Sequence, residues 1–200
     1  MKARAVIVES GGANVASLRF ALERLGCEPR LSSDAAEIRA ATHVLLPGVG
    51  AAADAMARLR RRGLDELLPS LTRPVLGICL GMQLLYQASE EGDATCLGIL
   101  PGVARRFADS PELPVPHMGW NELASTGPSP LMEGVPDGSF VYFVHSYALS
   151  PGPETRAIAE YGVPFSALVE QDLFFGTQFH PERSGKTGAR ILKNFLELGP

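Results

Sequence analysis

Two hundred residues, 46% hydrophobic and 20% charged, predict one globular domain (1–200) and exclude a disordered tail, a collagen-like chain or a coiled coil. Eighteen basic residues against 22 acidic ones, net −4, leave no broad basic field for nucleic acid or an acidic membrane surface. Apolar runs such as Val75–Leu80 are too short to span a bilayer, and three cysteines with no CxxC build no disulfide framework. The expected setting is the reduced cytoplasm.

Ala5–Val8 reads as a short buried strand. Asn14–Leu25 carries apolar residues at helical spacing and stops at Gly26. Thr42–Leu46 is a second strand, broken by Pro47-Gly48-Val49-Gly50, and Ala51–Arg62 is a helix. Pro74–Ile78 is a third strand, followed by a helix from Leu80 to about Ala88. Strands alternating with helices predict an α/β fold with a mixed, mostly parallel open sheet and flanking helices. The second half is β-rich. Phe140–Val144, Thr155–Tyr161, Pro164–Val169 and Leu173–Phe179 are closely spaced strands, with turns at Gly162-Val163-Pro164 and Gln171-Asp172. They predict an antiparallel extension of the sheet. Ser110–Pro116 and Ser125–Pro130 read as surface loops. An amphipathic helix over Lys186–Leu198 closes the chain, with Ala189, Ile191, Leu192, Phe195, Leu196 and Leu198 on its apolar face.

Chemistry concentrates at Gly77-Ile78-Cys79-Leu80-Gly81-Met82-Gln83. A buried strand ends, a helix begins, and glycines stand two residues either side of a thiol. This is the nucleophile-elbow pattern with Cys in place of Ser. Small neighbours let the tight turn form, and the following helix N-terminus and the Leu80 N–H favour anionic sulfur and oxygen. The plain alternative is a buried structural cysteine. A base must come from His43, His117, His145 or His180. His43 falls inside a strand and reads as structural. Only His180 ends a strand with a carboxylate, Glu182, two residues on, the order of nucleophile, base and orienting acid in a triad. Taken alone, His-Pro-Glu is equally a turn with a solvated Glu. Pro47–Gly50 closes a parallel strand, and its glycines free backbone N–H groups for an oxyanion or substrate. Ser184-Gly185-Lys186-Thr187 lacks the upstream glycine of a phosphate-binding loop, and no cluster has zinc spacing.

With these blocks in view, the chain resembles the class I (triad) glutamine amidotransferases along its full length. Gly77–Gln83 matches the family's elbow, and Gly176–Glu182 its His/Glu block. Pro47–Gly50, Pro116–Asn121, Tyr142–Tyr147 and Ser184–Gly188 narrow the resemblance to the glutaminase subunits of the histidine-pathway synthase that makes imidazole glycerol phosphate. Two departures stand out: Glu9-Ser10-Gly11 replaces the usual Asp-Tyr-Gly, and Arg183 replaces a common Lys, a planar fork in place of a point charge.

The resemblance implies L-glutamine as substrate, a Cys79–His180–Glu182 triad, a thioester intermediate and no metal or organic cofactor. It implies oxyanion and substrate contacts from Gly48, Val49, Gly50, Leu80, Gln83, Ser146 and Tyr147. It also implies a heterodimer with a (β/α)₈-barrel cyclase subunit that consumes the ammonia to form imidazole glycerol phosphate and an aminoimidazole carboxamide nucleotide. Neither nucleic acid nor membrane is an expected partner. Met118, Trp120, Tyr142 and Arg183 are the interface candidates, and Trp120, the only tryptophan, reads equally well as core. Other amidotransferase glutaminases, a catalytically silent regulatory subunit and a peptidase-like or chaperone-like Cys hydrolase are the competing readings. The intact triad, the late His-Pro-Glu and the Tyr142–Tyr147 and Ser184–Gly188 blocks disfavour them.

Overall fold

The computed structural model describes residues 3–9 and 15–199. In chain order the elements are β1 (Ala5–Val8), α1 (Val15–Arg24), β2 (Arg30–Ser32), α2 (Ala35–Ala40), β3 (His43–Gly48), α3 (Ala52–Arg61), α4 (Leu64–Leu67), β4 (Val75–Cys79) and α5 (Leu80–Leu84). There follow β5 (Tyr86–Ser89), β6 (Ala94–Thr95), β7 (Leu100–Arg106), β8 (His117–Glu122), β9 (Ala124–Ser125), β10 (Phe140–His145) and β11 (Tyr147–Ala148). The chain ends with β12 (Thr155–Tyr161), β13 (Val163–Gln171), β14 (Phe174–Thr177) and α6 (Gly185–Glu197).

The main sheet runs β2-β1-β3-β4-β14-β13-β12-β9. Its first five strands are parallel and the last three join antiparallel, so the fold is α/β with the expected antiparallel extension. Alternation along the parallel strands divides the core. Val6, Val8, Val44, Leu46 and Val75 face a layer with Ile38 of α2 and Met56 and Leu59 of α3. Ala5, Ile7, Leu45, Leu76 and Ile78 face α1 through Leu18 and Leu22, and α6 through Ile191, Leu192 and Phe195. Two smaller sheets, β10-β8 and β11-β7-β5-β6, complete the structure.

Several boundaries differ from the sequence reading. Strand β3 does not break at Pro47. It continues to Gly48, because Pro47 pairs with Ile78 and Gly48 with Cys79 across a parallel ladder. The helix after Cys79 is a single short turn ending at Leu84 rather than near Ala88, since Tyr86–Ser89 leave it to pair with β7. The turn after β12 uses Gly162 alone, and Val163 and Pro164 already pair with Tyr161 and Glu160. Strand β14 stops at Thr177, and α6 exposes Ala189 while burying Gly188 and Asn194. The start of the first helix at Asn14, and the Ser10-Gly11 departure, lie outside the described residues. Strand β2, helix α2 and strands β6 and β7 carry no clear sequence signal because they are short or half exposed, without a sustained period.

Candidate active site

The parallel strands β3, β4 and β14 deliver Gly48, Cys79 and Thr177 to one edge of the sheet. Carboxyl edges of such sheets are where ligand crevices form. Cys79 sits at φ 53° and ψ −112°, a conformation L-residues rarely hold, at the junction of β4 and α5. The glycines around it are required by contact. A Cβ on Gly81 would stand 1.7 Å from the Leu46 carbonyl oxygen, and one on Gly77 would stand 2.6 Å from that of Gly81. Only glycines let α5 press onto β3 and β4 tightly enough to hold the bend.

His180 lies three residues beyond the end of β14. Its main-chain N–H donates to the Tyr142 carbonyl at 2.9 Å. Ser184 locks the segment, its hydroxyl donating to the His180 carbonyl at 2.7 Å and accepting from the Tyr142 N–H at 3.0 Å. Glu182 Oε1 lies 2.8 Å from His180 Nδ1, and both side chains are nearly buried. This pairing fixes the ring and leaves its other nitrogen free to act on the Cys79 sulfur, whose influence the ring feels. Burial disfavours the His180 cation, but hydrogen bonds and charge from Cys79 and Glu182 outweigh burial and raise its pKa to about 10. A ring so held keeps a proton at neutral pH.

A cleft of about 210 Å³ opens in front of the sulfur, lined by Gly50, Cys79, Leu80, Gln83, Glu91, Pro116, Val144, His145, Ser146 and Tyr147. Among the expected contact residues, Gly50, Leu80, Gln83, Ser146 and Tyr147 line it directly. Gly48 is buried behind the elbow, and Val49 is exposed on the loop. Glu91 was not foreseen. It reads as part of a solvated acidic run, yet its carboxylate accepts from the Ala52 N–H at 3.0 Å and faces the cleft. A larger hollow of about 450 Å³, lined by Arg4, Glu28, Arg30 and Glu37 among others, lies at the opposite, amino edge of the parallel strands, away from this chemistry.

His117 and His145 are not bases here. His117 is stacked between Phe143 and Tyr161, and its Nδ1 lies 3.1 Å from His145 Nε2. Burial lowers the pKa of His117 to about 4 and that of His145 to about 3. The two are neutral in the fold and protonate in the unfolded chain below pH 6.5. Between pH 6.5 and 4 the unfolded state therefore binds more protons, and stability falls as pH falls. Urea unfolding from pH 7 to 4 should show this loss, and His117→Gln should flatten it; an unchanged slope would refute the assignment. His43 is structural as expected, its ring set between Thr42 Oγ1 and the Leu198 carbonyl. Cys27 and Cys96 are buried away from the cleft, and burial pushes the Cys96 thiol up to about 11.

The four interface candidates form one patch. On the outward face of β8 and β10, Trp120 pairs with Tyr142 and Met118 with Val144. Trp120 is 55% exposed and Met118 68% exposed, so Trp120 is not core. The Arg183 guanidinium lies over the Tyr142 ring at 4.6 Å, and Trp120 meets the same ring edge-on at 6.0 Å. Among the described residues no group of three or more potential metal ligands occurs, and no helix is long and apolar enough to cross a membrane.

A glycine-framed, cleft-facing cysteine with a buried His-Glu pair on a mostly parallel sheet is the arrangement of a thiol-hydrolase fold. The family model for class-I glutamine amidotransferases matches residues 6–198. Solved structures agree in fold: a crystal structure of a glutamine amidotransferase superposes with TM-score 0.75 at 20% identity over 96% of this chain and 97% of its own. PurLQS from Thermotoga maritima gives 0.67 at 20% identity over 98% of each. The chain belongs to the class-I glutamine amidotransferases. Within that family it is 54% identical over 192 residues, 96% of each chain, to the imidazole glycerol phosphate synthase subunit HisH of Xylella fastidiosa. It is 52% identical over the same span to the subunit of that name from Xanthomonas axonopodis pv. citri.

Proposed function

We propose that the chain is the glutaminase subunit of imidazole glycerol phosphate synthase, serving histidine biosynthesis in the cytoplasm, with Cys79, His180 and Glu182 as its catalytic residues. The observation that carries this reading is the meeting of a strained, cleft-facing Cys79 with a His180 ring clamped by Glu182. The identity to the HisH subunits narrows it to this synthase.

Cys79 sulfur, its proton held by His180, attacks the side-chain amide carbon of L-glutamine. The oxygen that gains charge is met by the Leu80 N–H and by an N–H of the Val49–Gly50 loop. His180 gives its proton to the departing nitrogen, the C–N bond breaks, and ammonia leaves a γ-glutamyl thioester. Water then attacks the thioester while His180 takes its proton. The C–S bond breaks and glutamate leaves. Glu91 supplies the cleft with a carboxylate for the substrate's α-ammonium. Gln83 offers it an acceptor oxygen, because both its N–H groups are spent on Tyr147 O and Gln178 Oε1.

The partner is a (β/α)₈-barrel cyclase subunit, which performs the lyase step with the ammonia. It docks on the Met118–Trp120–Tyr142–Arg183 patch, where exposed aromatic residues and an arginine are the anchors. The test is glutamate release by the chain with and without such a cyclase and its nucleotide substrate. Activation by the pair supports the reading, and silence in every combination overturns it. Trp120→Ala should weaken the complex by about 2 kcal/mol, roughly 30-fold in Kd, with the melting temperature almost unchanged. Calorimetric titration and a thermal melt separate this from a core role, which would lower the melting temperature and spare the affinity.

A further inference from the structure

Gln178 is wholly buried at the end of β14, directly beyond the Thr177–Ile78 pair, which places its side chain beside Cys79. Its Nε2 lies 3.8 Å from the Cys79 sulfur, and its Oε1 accepts from Gln83 Nε2 at 3.0 Å. Gln83 Nε2 also donates to the Tyr147 carbonyl at 2.9 Å. That carbonyl can only accept, so Gln83 must turn its nitrogen toward it. The second N–H of Gln83 then requires an oxygen from Gln178, and Gln178 is left with its nitrogen against the sulfur. The direction of the whole chain follows from one main-chain atom.

The geometry points to Gln178 as a positioning residue for the nucleophile: it donates a hydrogen bond to the anionic sulfur from within the core and holds the sulfur in line for attack. This rests on Cys79 being the nucleophile. Two neighbours of the sulfur act in opposite senses. The Val144 carbonyl, 3.7 Å away, accepts from the neutral thiol and repels the anion. Gln178 does the reverse, and its amide has no other donor role among its described bonds. The titratable groups facing the sulfur or its cleft are His180, Glu182, His145, Glu91 and Tyr147. Of the donors around the sulfur other than His180, Gln178 Nε2 is the one with a hydrogen bond to it among the described residues. An N–H donor to an anion contributes more than one between neutral groups, and tenfold in reactivity corresponds to the loss of one such bond.

The test uses the full chain with Gln178→Met, which keeps the volume and removes both the donor and the acceptor. Iodoacetamide labelling of Cys79, read by peptide mass spectrometry across pH 5–9, should be about tenfold slower at pH 7, with its profile displaced to higher pH. In the complex, kcat for glutamine should fall by a similar factor while KM holds. Gln178→Glu keeps the acceptor for Gln83 but gives the sulfur no donor once ionised, and should slow labelling as well. An unchanged labelling profile in both variants, even with a lowered melting temperature or a raised KM, overturns the proposal and leaves Gln178 a packing residue. Cys79→Ser run alongside separates the two levels. If it retains glutaminase activity, the nucleophile assignment itself fails; if it is inactive while Gln178→Met labels like wild type, only the positioning role fails.

Discussion

Cys79→Ser should reduce glutamine hydrolysis by at least about a thousandfold, the scale seen when a member of a catalytic unit is removed. The hydroxyl fits the space, but serine does not ionise near neutral pH and the oxygen is a poorer nucleophile without a strong base. His180, held protonated beside its carboxylate partner, is arranged to stabilise a sulfur anion and to donate a proton later. Synthesis from added ammonia by the complex with the proposed cyclase partner should survive, because that step would need only the nitrogen. The melting temperature should stay near that of the wild type. Loss of ammonia-dependent synthesis as well would mean that the substitution damages the fold or the docking, and retention of glutaminase activity would remove Cys79 from the mechanism.

Gly81→Ala is the strongest expected stability effect. A methyl at that position would meet the Leu46 carbonyl oxygen at 1.7 Å, and that oxygen belongs to a central strand fixed on both sides. Neither partner is a flexible side-chain tip, so α5 must lift from β3. Overpacking of this kind costs about 3 kcal/mol or more, roughly 6–12 °C in melting temperature for a chain of this size. Activity should fall further than stability, since the lifted helix carries Leu80 and Gln83 away from the cleft. Gly127→Ala is the control: its Cβ meets nothing within 4 Å and its φ is ordinary, so it should be neutral. A melting temperature for Gly81→Ala equal to that control would refute the close-packing argument.

The cluster of Cys79, His180 and Glu182, proposed as the triad, was legible because each member sits in a local pattern. Gly77 and Gly81 frame Cys79, and His180 and Glu182 are two residues apart, so spacing singles these residues out, while their meeting depends on the fold. The sheet's parallel half was legible because Val44–Leu46 and Val75–Ile78 are continuous apolar runs, the mark of strands covered on both faces. Glu91 was not, because it stands in Glu90-Glu91-Gly92-Asp93, which has the composition of a solvated turn. Its place follows from α5 being so short that β5 brings the chain back to the cleft. Gln178 was hidden for a related reason. The one signal was a polar Thr177-Gln178 pair inside an otherwise apolar segment ending at Phe179, and its meaning depends on the parallel register with β4. The pairing of Trp120 with Tyr142 depends on a ladder between strands some twenty residues apart, which no local period encodes.

The Tyr147 carbonyl has one further consequence. It accepts from Gln83 on the inner side and lies 2.9 Å from His145 Nδ1 on the other, and so obliges that ring to present a bare Nε2 to His117. Donor and acceptor sense therefore propagates from this atom in two directions, to the sulfur and to the ribbon carrying Trp120. The reference is an element of the main chain, common to every amino acid. Substitution at 147 leaves it in place; drift in the side chains can delete a link, but has no means of reversing the sense of those that remain.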